Sequence, residues 1–136
     1  MEFLLRIGRG SPDPRRYRAI RRLYGTVRNE NLPEARGRRL LRNWLSERQR
    51  AQFDAFAFFD VIGCHTGRRY RIYYATAANV DEFDKVGRPI VRHCFIPKGD
   101  LVPGDVMLAQ KIALETEELT VLAVTNRFSP SPQRAT

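Results

Sequence analysis

Cysteine is nearly absent from this 136-residue chain: Cys64 and Cys94 are the only two. That excludes a disulfide framework, so a hydrophobic core must hold the fold, and the length suffices to build one. No apolar run approaches the roughly 18 residues of a membrane span, and the opening MEFLL is too short for the apolar region of a secretory signal. A soluble, cytoplasmic protein without a membrane span is expected. A glycine-rich phosphate loop before a helix is also missing. Gly8-Arg9-Gly10 lies outside any βαβ context, and the stretch from Gly99 to Gly104 is interrupted by Pro103. Lysine is scarce, with only Lys85, Lys98 and Lys111, so the basic character rests on arginine. With 43% hydrophobic and 29% charged residues, the composition is that of one globular domain.

What is abundant is positive charge, and it is unevenly placed. The chain carries 24 basic against 15 acidic residues, a net charge of +9. The first 50 residues hold 14 arginines and five acidic residues, whereas the remaining 86 balance ten basic against ten acidic. The whole excess therefore lies at the N-terminal end. A GC-rich genome accounts for arginine in place of lysine, but not for this asymmetry. Such a balance points to a polyanionic partner, and arginine forks phosphate bidentately and stacks on bases.

Three helices are expected in the basic region. Asp13-Pro14 reads as a cap with proline in the first turn and Gly25 as a stop, giving a helix over 14–24 with Tyr17, Ile20, Leu23 and Tyr24 on one stripe. Arg15, Arg18 and Arg22 fall on its polar side. Asn31 with Glu34 resembles a capping box for a helix over 33–45, whose apolar face would be Leu40, Leu41, Trp44 and Leu45, with Arg36, Arg39 and Arg42 opposite. Ser46 with Gln49 forms another capping box and opens a third helix. Basic amphipathic helices leave three readings open: a solvated face over a core, a phosphate-tracking surface, or a membrane-surface or partner helix. An Arg-rich, acid-poor start also matches a transit peptide, against which the helix stop signals and the Trp-anchored face argue.

The neutral region alternates as strands. Residues 58–62 and 69–74 flank the glycine-bounded turn from Gly63 to Gly67, and residues 78–83 and 89–96 flank Asp84-Lys85-Val86-Gly87, giving two hairpins of an antiparallel four-strand meander. Pro89 suits a strand's first position or an edge. In the second strand, Tyr70, Ile72 and Tyr74 share the core side and Arg69, Arg71 and Tyr73 the other. Asp105 is expected to cap a helix over 106–115, apolar around nearly all its circumference except Gln110 and Lys111, and hence the most buried element. Thr116 then caps a last helix, although residues 119–124 would also serve as a strand. The fold class is thus α+β: one domain over 1–128, with basic helices over residues 1–50 and a meander with helices over residues 57–128, then a disordered tail, 129–136.

The stretches FDVIG (59–63), TGRRYRI (66–72) and GDVMLAQKIALE (104–115), with Asn79-Val80 and Cys94, resemble a group of small uncharacterised bacterial and phage-associated proteins. The resemblance covers residues 38–127. It implies a bacterial or mobile-element origin and carries no assigned activity.

Two constellations compete with simple binding. Cys64-His65 and His93-Cys94 supply a zinc ligand set by type, but neighbours on a strand face opposite sides and Cys-x-x-Cys spacing is missing. A thiol enzyme using Cys94 and His93 would need an orienting carboxylate such as Asp60 or Asp105. Lys111 reads as a catalytic base or as a snorkelling side chain at the helix edge. No cofactor is expected. The leading expectation is a small non-enzymatic protein that engages DNA or RNA backbone through Arg15, Arg18, Arg22, Arg36, Arg39 and Arg42, supplemented by Arg69, Arg71 and Tyr73 on a strand face. A structural module docking on an acidic protein surface is the alternative. For the strand arginines the competing reading is that they lie across acidic neighbours, for example Asp81 or Glu82 on the next strand.

Overall fold

The computed structural model describes residue 15 and residues 32–130. The chain divides into two compact units, Met1–Arg36 and Gly37–Thr136. In the first, Arg15 is helical and exposed. The rest of the helix expected over 14–24, including Arg18 and Arg22, and the Asn31 cap lie outside the described residues, as do residues 131–136 of the expected tail.

Helix α1 spans Pro33–Trp44. Gly37, Leu41 and Leu45 are buried, but Leu40 is 46% and Trp44 61% exposed, so only half of the expected apolar face packs inward. The cause is a backbone contact: a Cβ added at Gly104 would lie 2.4 Å from the Gly37 carbonyl carbon. That approach turns the Gly37–Leu41–Leu45 line inward and leaves Leu40 and Trp44 outside. Helix α2, Glu47–Phe56, begins with the capping box expected: Gln49 N–H donates to Ser46 Oγ at 3.1 Å and Ser46 N–H to Gln49 Oε1 at 3.0 Å.

Strands β1 (Phe58–Ile62), β2 (Arg69–Tyr73), β3 (Val80–Phe83) and β4 (Pro89–Cys94) form the meander. The sheet is larger than the four strands expected, because β5 (Asn126–Phe128) adds to β4 in the order β1-β2-β3-β4-β5, all antiparallel. Pro89 stands first in its strand, and the two-residue repeat puts Tyr70 and Ile72 in the core. The turns use Gly67 at φ 71° and Gly87 at φ 86°, where a Cβ would be strained.

Helix α3 runs Pro103–Thr116, starting earlier than expected. Val102 occupies the cap position without a side-chain bond, Pro103 begins the helix, and Asp105 sits in the first turn rather than at the cap. Its circumference is also divided differently. Gln110 is buried, exchanging hydrogen bonds of 2.9 Å in both directions with the Asn79 carboxamide, while Ile112 is 43% exposed. Residues 118–124 form helix α4 (Glu118–Val124), not a strand, with Glu117 rather than Thr116 at the cap position and no side-chain capping bond; the Thr116 hydroxyl instead donates to the Ile112 carbonyl at 2.6 Å. Ser129 and Pro130 follow β5 without secondary structure. Leu41, Leu45 and Phe53 join Phe59, Val61, Tyr70, Ile72 and Val80 of the sheet and Met107, Leu114 and Val121 of α3 and α4 in one core.

Candidate nucleic-acid interface

On the sheet face opposite that core, the strand repeat presents Phe58 and Asp60, then Arg69, Arg71 and Tyr73, then Asp81 and Phe83, and Arg92. Cross-strand register decides the pairing. Asp60 lies across from Arg71 and accepts its Nε at 2.9 Å, and it also accepts Arg69 Nη1 at 3.0 Å. Asp81 is taken by Arg92 through two bonds of 2.7 and 2.8 Å. The Arg69 and Arg71 guanidiniums lie 4.0 and 4.1 Å from the ring centres of Phe83 and Phe58. Burial raises the Asp60 pKa, but the bonds from Arg71, Gln52 and Arg69 outweigh it and hold the carboxyl below its ordinary value. Tyr73 meets Phe58 edge-on, 5.5 Å between centroids, and burial followed by the Asp81 charge pushes its hydroxyl pKa upward. Acidic neighbours thus hold Arg69 and Arg71: Arg71 lies across from Asp81 on the next strand, and both arginines bond Asp60 on the preceding one.

On the helices, Arg36 and Arg39 are exposed and Arg42 is half-buried. Arg42 donates to Asp54 of α2 through Nε at 2.9 Å and Nη2 at 2.8 Å. Arg38, from the same helix, donates to the Tyr74 hydroxyl at 2.9 Å.

A second polar cluster lies on the core side. Glu118, fully buried, accepts the backbone N–H groups of His65 and Thr66, each at 2.8 Å, together with the Thr66 hydroxyl and, at 2.6 Å, the Tyr70 hydroxyl. Burial raises its pKa, but donation from Thr66, Tyr70 and His65 more than offsets that and lowers it. Burial, then Glu118, pushes the Tyr70 hydroxyl far above its ordinary value. Four donors fill the acceptor capacity of this carboxylate. Cys64, His65 and Glu118 bring three ligand-type atoms within 4.8 Å of one another, but Glu118 is already engaged as the latch of the β1–β2 turn. His93 and Cys94 project to opposite faces. His93 Nε2 bonds Glu82 at 2.9 Å, whereas Cys94 Sγ accepts the Ala78 N–H at 3.4 Å. The four Cys and His residues of the zinc reading therefore do not gather. Lys111 pairs with Glu115 one turn on along α3.

At the end of the sheet where the β1–β2 and β3–β4 turns lie side by side, a groove of about 610 Å³ opens. Residues 66–69 line it from one turn, Asp84, Lys85 and Gly87 from the other, and Phe83 and Ile90 from the strands. Arg68 enters it anchored on the buried Glu82. Comparison of the chain with protein-family models, curated proteins and solved structures finds no match in any of the three. The groove's Lys85 and the exposed Trp44 were not among the residues the sequence pattern singled out for binding, and Arg68, within the basic-aromatic stretch Arg68-Arg69-Tyr70-Arg71, was not counted among the contacts. The sequence signal for Arg68 and Lys85 is the coincidence of basic residues in two turns at the same end of a meander.

Proposed function

We propose that this is a small, non-enzymatic nucleic-acid-binding protein that grips the phosphate backbone with little base specificity, its contacts lying in the Arg-rich residues 1–50. One observation carries the reading: the excess charge of +9 belongs entirely to those residues, while the remaining 86 balance ten basic against ten acidic side chains. The sheet shows how that balance is used, with Arg69 and Arg71 engaged by Asp60 and Arg92 by Asp81. The contact residues are Arg15, Arg18, Arg22, Arg36, Arg39 and Arg42, and Arg69, Arg71 and Tyr73 contribute less. Trp44, the only tryptophan and 61% exposed on α1, offers a ring for stacking on an unpaired base. The same Trp44 with Leu40, 46% exposed on the same helix, also favours a second reading, docking on an acidic protein surface, where Trp and Arg commonly dominate the energetics.

The test is titration of the full chain with single- and double-stranded oligonucleotides across a salt series, following anisotropy and Trp44 emission together. Affinity should fall linearly on a log–log salt plot, and Arg36→Gln, Arg39→Gln, Arg42→Gln combined should flatten the slope by roughly 0.7–0.9 for each phosphate no longer engaged. Absence of binding at low salt would reject the reading and turn attention to the protein partner.

A further inference from the structure

The groove between the two turns is a concavity of mixed polar and apolar lining that backbone binding by the N-terminal arginines leaves unused. Its lining is unusual in sign: Arg68, Arg69 and Lys85 face a single carboxylate, Asp84. That carboxylate is committed to its own turn, since Asp84 Oδ1 accepts the N–H groups of Val86 at 3.0 Å and Arg88 at 2.9 Å. The acids behind the arginines offset only part of their charge. Asp60 carries one charge and serves two guanidiniums, Arg69 and Arg71. Glu82 pairs with Arg68 and also bonds the buried His93.

Both arginines are held in place before any ligand arrives. Arg69 rests over Phe83 at 4.0 Å and bonds Asp60 through Nη1, while Arg68 bonds Glu82 through Nη1. A guanidinium has five N–H donors, so each retains donors on its other nitrogens. Fixing long side chains in advance removes the ordering cost that weakens most surface charge contacts. A volume of about 610 Å³ exceeds the needs of a bare anion and lies within the usual range of small-molecule sites.

We propose that this groove binds a phosphate monoester, with Arg68 and Arg69 forking its oxygens, Lys85 supplying the third positive charge, and Ile90 lying against the organic portion. A dianionic monoester matches three cations better than a monoanionic carboxylate does. The same group occurs on a free nucleoside monophosphate and on the phosphorylated end of a strand. The site uses residues outside the proposed backbone-binding set apart from Arg69, so it stands if that reading fails.

The experiment follows the Arg side-chain N–H resonances of the full chain by NMR, with calorimetry, during titration by a nucleoside monophosphate, by the matching nucleoside, and by short oligonucleotides with and without a 5′ phosphate. The monophosphate or the phosphorylated strand should bind at one site, and the nucleoside should not. Lys85→Gln, an exposed turn substitution, and Arg68→Gln should each weaken that binding about tenfold, whereas the combined Arg36→Gln, Arg39→Gln, Arg42→Gln variant should retain it. Binding of the monophosphate identifies the free nucleotide as the source. A preference confined to the phosphorylated strand identifies the strand end. If neither binds in the millimolar range, or if Lys85→Gln and Arg68→Gln both leave binding unchanged, the proposal is overturned.

Discussion

The two faces of this one sheet are closed by different means. On the core side, Phe59, Tyr70, Ile72 and Val80 meet Leu41, Met107 and Leu114 of the helices, and the polar groups admitted there are tightly partnered, Glu118 by four donors, with His93 Nδ1 as the exception. On the opposite side the strands cover themselves: Arg69, Arg71 and Arg92 fold over Phe83, Phe58 and Tyr73 and are paired with Asp60 and Asp81. Burying a polar group is expensive only where water cannot replace a missing partner. The first face should therefore respond to polar substitutions far more steeply than the Asp60 end of the second, where Arg69 and Asp60 stay 32% and 21% exposed, whereas the buried Asp81–Arg92 pair is as dry as the core.

The most damaging change on this view is Glu118→Ala. It leaves the His65 and Thr66 amides and the Thr66 and Tyr70 hydroxyls without their acceptor, at about 1–3 kcal/mol for each donor that stays dry, so a total loss of about 4 kcal/mol or more is expected in urea unfolding. Glu118→Gln should cost only about 1–2 kcal/mol. Its carbonyl can keep the two amides, while the hydroxyls turn to accept from its NH₂. The pH profile separates charge from shape. The folded Glu118 carboxyl is lowered from its ordinary value, so its contribution is complete above the ordinary carboxyl range and is lost as pH falls through the lowered value. Glu118→Gln should accordingly flatten the acid limb of stability against pH. An unchanged acid limb would show the latch to be steric only.

Gly104→Ala comes next and tests how the core side is closed. The added methyl would sit 2.4 Å from the Gly37 carbonyl carbon, 2.5 Å from its oxygen and 2.7 Å from the Arg38 nitrogen, all backbone atoms. Helices α1 and α3 must separate, at about 3 kcal/mol, the upper end of the range for overpacking. Thermal unfolding would measure it. A cost below about 0.5 kcal/mol would mean that α1 does not depend on this crossing.

These two positions also mark where reading the sequence stops. Features closed by near neighbours were legible: the Ser46–Gln49 box, Pro89 at the start of β4, both hairpins, and the inward alternation of Tyr70 and Ile72. Features closed by distant partners were not. Gln110 reads as the polar edge of a helix until Asn79, on the loop before β3, is found opposite it. Nothing in the pattern marks Gly37 until Gly104 touches it, and that contact turns Trp44 outward. Glu118 reads as a first-turn acid favouring the helix dipole, whereas its four bonds reach to residues 65–70. Strand β5 has three residues and no apolar alternation, so nothing in its pattern announced it. Of the candidate site, the pairing of strand arginines with acids was legible as a type, but the choice of Asp60 depended on Arg92 having taken Asp81.

The smallest effect is expected from Asp60→Asn, which sharpens the comparison from the other side. The substitution keeps one carbonyl oxygen toward Arg71, removes the charge that binds Arg69 and Arg71, and leaves two guanidiniums that water can still reach, their side chains being 32% and 13% exposed. A cost of about 1 kcal/mol follows, because solvent recovers most of what the carboxylate supplied. Its contribution has the same sign in pH as that of Glu118, since the Asp60 carboxyl is also lowered: it is present at neutral pH and lost in acid. Removing this charge also frees positive potential beside the groove. Phosphate monoester affinity should rise in Asp60→Asn while stability falls slightly, and calorimetry with chemical denaturation on the same sample reads both. If stability instead fell as far as in Glu118→Ala, the Asp60 end of the arginine-covered face would be as dry as the helix-covered one, and the contrast between them would not hold.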